Sequence, residues 1–142
     1  SSQFLLVFIR AGKAKDGGPR YKIIGVAADL PSFPPEYVKI WNFTDTRMHS
    51  RLNEEVHVID AKASKLLYEE AEGPGEDASD LAFGRNLDVL MAARLEGDWR
   101  QIYRSRWSIS EDNRMLVFIY PRDGRPPRVK AIKEFIRDQG ER

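Results

Sequence analysis

The sequence predicts an α+β fold, a single domain over residues 1–142 in which a mostly antiparallel sheet of four to six strands is packed by about three helices. Three observations point there. Segments 3–10, 20–28, 99–109 and 114–120 are rich in β-branched and aromatic residues. Segments 61–71, 86–96 and 128–138 space their apolar residues three and four apart. Short Gly-, Asp- and Asn-containing links join the strands in pairs.

Taken in order, FLLVFI at 4–9 is short and continuously apolar, which suits a central strand covered on both faces. AGKAKDGGP then turns the chain into RYKIIGVAADL, so residues 3–29 read as a long antiparallel hairpin. PSFPPEY carries three prolines, each of which fixes φ and removes a donor, so no regular element crosses it. YVKIWNF alternates Val38 and Ile40 against Lys39, Trp41 and Phe43 and allows an additional strand at 38–43. From Met48 to Ala71 apolar residues recur at helical intervals, and a helix is expected over at least Ala61–Glu70. Val56–Ile59, with two Val and an Ile, has the competing reading of a strand leading into it.

GPGEDASD at 73–80 reads as a mobile acidic loop. Leu87, Leu90, Met91 and Leu95 form a second helical stripe, with Gly97 as its left-handed C-terminal residue. Two strands joined by SEDN follow, then the turn PRDGRPP. Val129, Ile132, Phe135 and Ile136 mark a last helix, started by Pro126 and Pro127 and stopped by Gly140. No internal repeat is visible.

Composition narrows the function classes. The chain is 42% hydrophobic and 32% charged, and 23 Lys+Arg balance 22 Asp+Glu to a net charge of +1, so no global field recruits nucleic acid or membrane. The absence of cysteine removes disulfides, thiolate nucleophiles and Cys-based metal sites, and fits an intracellular setting, cytoplasmic or nuclear. The longest apolar run falls far below the roughly 20 residues of a membrane helix, so a soluble protein with no membrane partner is expected. A start at Ser1 and an end soon after the last expected helix suggest a domain excised from a longer chain.

The densest stretch is GDWRQIYRSRW at 97–107. Strand alternation places Trp99, Gln101, Tyr103, Ser105, Trp107 and Ile109 on one face and Arg100, Ile102, Arg104, Arg106 and Ser108 on the other. The first reading puts the aromatic face in the core; the sharper one makes it a platform for a base or a cation, with the arginines on phosphate or carboxylate. Trp41 would join Trp99 and Trp107 if the fold brought them together. Arg94, Arg122, Arg125, Arg128 and Lys130 extend the candidate basic patch beyond Arg100, Arg104 and Arg106.

Catalysis has little to point to. His49 and His57 lie eight apart among Asp45, Glu54, Glu55 and Asp60, and Ser50, Ser64 and Ser105 have no nucleophile elbow around them. There is no phosphate loop or dinucleotide fingerprint, and no cofactor or metal site is expected. The leading expectation is therefore a noncatalytic recognition or regulatory domain for a macromolecular partner or small ligand. Its alternatives are a single-stranded RNA-binding domain using the surface around 99–107, and a small hydrolytic or transferase-type enzyme using His49 or His57.

Two families resemble parts of the chain. VIDAKASKLL followed by GRNLDVL resembles the helix-entry part of PAS sensor domains, which implies a small-ligand or partner sensor closed by hairpins. LVFIYPRDGRPPRVKAIKEFI resembles the strand-turn-helix that closes the effector domain of LysR-type regulators. The two explain overlapping residues differently, and neither is adopted as the chain's family.

Overall fold

A computed structural model describes residues 4–13, 15–68 and 85–136, and the description is confined to these. They form ten strands: β1 (Phe4–Lys13), β2 (Pro19–Ala27), β3 (Val38–Asn42), β4 (Met48–Leu52), β5 (Glu55–Ile59), β6 (Ser64–Leu67), β7 (Arg85–Leu95), β8 (Asp98–Ile109), β9 (Asn113–Arg122) and β10 (Arg125–Phe135). They make three sheets, a β1–β2 ribbon and two four-stranded sheets ordered β10-β9-β3-β6 and β5-β4-β7-β8. The described part is all-β, which overturns the expected α+β class.

Each expected helix fails for a local reason. Over 86–96, residues Arg85, Leu87, Val89, Met91 and Ala93 are buried while Asn86, Asp88 and Arg94 are exposed, which is a period of two. Leu87, Met91 and Leu95 are four apart, a spacing that a helix stripe and a strand face share. β7 is hydrogen-bonded to β4 on one side and β8 on the other, which decides for the strand.

The 61–71 helix is replaced, within the described residues, by a turn at 60–63 and β6. Asn53 and Lys62 adopt positive φ of 54° and 60°, which no continuous helix tolerates. The strand reading of Val56–Ile59 holds, inside β5. In place of the 128–138 helix, β10 pairs antiparallel with β9 as far as Phe135, and Pro126 and Pro127 sit where the register slips between Arg125 and Arg128, on an edge strand that needs no donor from them. Residues 69–71, 73–80 and 137–140 lie outside the described ones. The PAS-like and LysR-like readings lose the helices on which they relied.

The main core lies between the two larger sheets. Val38, Ile40, Leu67, Met115, Val117 and Ile119 from one meet Met48, Leu52, Ile59, Leu87, Val89, Met91, Ala93, Trp107 and Ile109 from the other. A second core lies on the opposite face of the β9-containing sheet, where Trp41, Leu116 and Phe118 pack with Phe33 and Val26 under Leu5, Val7 and Ile24 of the ribbon. Trp41 stacks on Phe118 with ring centroids 5.0 Å apart. The molecule is a sandwich with the ribbon laid over one side as a third layer.

β9 is the strand covered on both faces, since every residue from Asn113 to Ile119 is buried. FLLVFI, expected in that role, instead belongs to the ribbon. Phe4, Leu6 and Phe8 are 71%, 60% and 58% exposed, whereas Ile9 is buried. The hairpin itself is as expected, with Phe4 opposite Ala27 and Arg10 opposite Tyr21.

Two polar clusters tie the layers. Arg114, 1% exposed, donates to the Phe33 and Ala28 carbonyls at 2.6 and 2.9 Å and to both Glu134 carboxylate oxygens at 3.1 and 3.2 Å, with its guanidinium 4.4 Å above the Phe33 ring. Buried Asn42, at the end of β3, donates to the carbonyls of Thr46, Ile59 and Asp60 and accepts from Thr44. One fastens the segment after the ribbon to β9 and β10; the other joins β3 to the opposite sheet.

Candidate functional site

The catalytic candidates separate. His49 faces Val58 across β4 and β5, while His57 faces buried Ser50, so the two imidazoles lie on opposite faces of one sheet and cannot act on one substrate. His49 points outward and stacks on Trp99 at 3.8 Å between centroids. No group of three or more His, Asp or Glu side chains able to hold a metal occurs among the described residues.

The face assignment of 97–107 is corrected by one residue. Met91 stands opposite Tyr103 but Ala92 opposite Gln101, so Ile102 is an extra residue in β8, a bulge that reverses the alternation on its N-terminal side. Ile102 and Tyr103 both pack against the core. Trp107, 4% exposed, is inside it and donates its indole N–H to the Tyr103 hydroxyl at 3.0 Å. Trp99 falls on the other side, opposite Arg94, and is 42% exposed. Trp41, buried in the second core, is remote from any shared cage with the other two.

The basic residues divide between two sheets. Arg94, Arg104 and Arg106 join Arg51 on the outer face of the β4–β8 sheet, where Arg106 lies 3.8 Å from Asp88. Arg100 is opposite buried Ala93 and so belongs to the other side of β8 from Trp99. Arg122, Arg125, Arg128 and Lys130 lie on the β9–β10 hairpin, and Arg122 is committed to the Pro126 carbonyl at 2.9 Å. A single patch of all eight does not form.

The structure adds a site that the sequence did not suggest. Leu5 to Arg10 of β1, Tyr21 of β2, and Phe118, Tyr120, Lys130 and Ile132 of the β9–β10 hairpin together line a groove of about 340 Å³. Six consecutive β1 residues line it and β2 contributes one, so the groove follows the strand's free edge. Pairing explains the opposite wall: Lys130 faces Phe118 and Ile132 faces Leu116. Apolar walls carrying a few polar groups are the usual make-up of a ligand site. Arg10 and Lys130, both exposed, have no ion-pair partner among the described residues. The only signal available beforehand was that FLLVFI is apolar at both parities, which fits an exposed recognition edge as well as a buried strand.

No family model matches the chain, and no curated protein matches it.

Proposed function

We propose that this is a noncatalytic recognition domain that captures an extended segment of a partner protein along the free edge of β1. One observation carries the reading. Among the described residues β1 is paired on one side only, and its open edge runs beside an apolar groove. Edges of this kind are ordinarily blunted by charge, proline or a covering element, because unpaired N–H and C=O groups template another strand. Residues 4–9 contain no such guard, whereas β2 carries Arg20 and Lys22. Strand addition uses the main chain for affinity and alternate side chains for specificity. Here the groove would take an apolar residue against Phe118 and Ile132, and Arg10 and Lys130 would favour an acidic one beside it.

The test is an NMR titration with a synthetic peptide alternating Val and Thr around a central Glu, and with a proline-substituted control. The expected result is shifts and slowed amide exchange confined to β1, β9 and β10, abolished by Leu6→Lys and weakened by Lys130→Glu. Equal response to the proline control, or shifts elsewhere, would overturn the proposal.

A further inference from the structure

The outer face of the β5-β4-β7-β8 sheet carries a second surface, unrelated to the groove. Trp99 and His49 come from β8 and β4, with β7 between them, where His49 stands opposite Ala92 and Trp99 opposite Arg94, and their rings stack across that strand. The stacked pair makes an aromatic platform on this face, with Trp99 42% exposed to water.

Around it the same face gathers cations. Arg94 is the direct cross-strand neighbour of Trp99, and Arg51 and Arg104 flank Leu90 from the strands on either side. At sheet spacing, Arg51 and Arg104 are thus about 10 Å apart. Arg106 is the member held by an acid, Asp88. Arg51, Arg94 and Arg104 have no ion-pair partner among the described residues, and the other acids, Glu54, Glu96 and Asp98, lie in turns or at a strand end on the rim. Net charge near zero therefore hides a face with four arginines, a histidine and one aspartate.

We infer that this face binds single-stranded nucleic acid, with one base stacked on the Trp99–His49 platform and the backbone phosphates following Arg94, Arg104 and Arg51. The chemistry selects that ligand. A π-surface beside a row of guanidinium groups fits alternating bases and phosphates, stacking tolerates any base, and a paired duplex offers no free base face. An acidic peptide would satisfy the arginines but leave the indole unused. The surface is open and shallow, so binding should be weak in sequence preference and strongly dependent on salt.

The experiment is fluorescence anisotropy with a labelled ten-nucleotide oligouridylate at low salt, following tryptophan emission in parallel. Trp41 and Trp107 are buried, so quenching on binding reports Trp99. The expected results are saturable binding, quenching, affinity loss of about tenfold or more in Trp99→Ala, and retention of most affinity in Trp99→Phe with the quenching gone. Arg94→Ala and Arg104→Ala should each lower the slope of log affinity against log salt by about one unit. Undiminished binding by Trp99→Ala, equal competition by inorganic polyphosphate, preference for duplex, or binding of uridine monophosphate as tight as the oligomer would each overturn the inference. Leu6→Lys, which disables the groove, should leave this binding unchanged.

Discussion

Single side chains divide sharply into those that hold the fold and those that are free to act. Arg114 is buried with four polar partners, so Arg114→Ala removes a charge whose acceptors remain behind and should cost about 3–5 kcal/mol in urea unfolding. Glu134→Gln should cost less, about 1–3 kcal/mol, because Gln keeps an acceptor for the guanidinium but leaves that buried cation, 1% exposed, without its counter-ion. The two exposed-or-buried tryptophans of β8 give a matched pair. Trp107→Ala should destabilise by about 3–5 kcal/mol, and Trp99→Ala by less than about 1 kcal/mol, measured in the same unfolding series. Their difference in burial was not legible beforehand. Trp99 and Trp107 share a parity in sequence, and only the extra residue Ile102 parts them.

Among the strands, those with β-branched centres declare themselves in the sequence, whereas β7 and β10 carry apolar spacings that a helix shares. Leu87, Met91 and Leu95 satisfy both periods, and what distinguishes them is Val89 and Ala93 filling the intervening inward positions. Gly97 has the left-handed φ expected of it, 87°, but it closes a two-residue hairpin with Glu96, itself at φ 51°, instead of ending a helix. That pair of positive φ values is the mirror-image turn that suits twisted strands. Asn tolerates the left-handed region better than Glu, so Glu96→Asn should raise stability by about 0.5 kcal/mol, seen as a higher melting temperature. Gly97→Ala should lower it, although an added Cβ meets nothing within 4 Å, because the cost is in the backbone alone.

For the whole molecule, the layer order explains why FLLVFI and MLVFI, nearly identical in character, meet opposite fates. β9 is covered by the ribbon on one face and by the second sheet on the other, while β1 is outermost. No local pattern carries that information, and the groove that the ribbon creates was therefore invisible until the layers were assembled. The outward ribbon residues Phe4, Leu6, Phe8, Tyr21 and Ile23 form an exposed apolar stripe. Light scattering at rising concentration should show self-association of the parent chain, and Phe8→Lys should suppress it without lowering the melting temperature.

The pairing of β3 with β9 also bears on how the chain reaches this state. Among the described strands β3 and β9 are the pair that runs parallel, and Arg114 at the start of β9 must find carbonyls 81 and 86 positions earlier. Hairpins β7–β8 and β9–β10 close locally, but the sandwich is complete only when that long loop has been drawn shut, at a cost in chain entropy that no local contact offsets. Refolding should accordingly be slow for a chain of this size, in the millisecond-to-second range typical of non-local β topologies. Arg114→Met should slow it little while accelerating unfolding, if the arginine locks a junction that forms late, and stopped-flow chevrons of the two proteins measure both limbs.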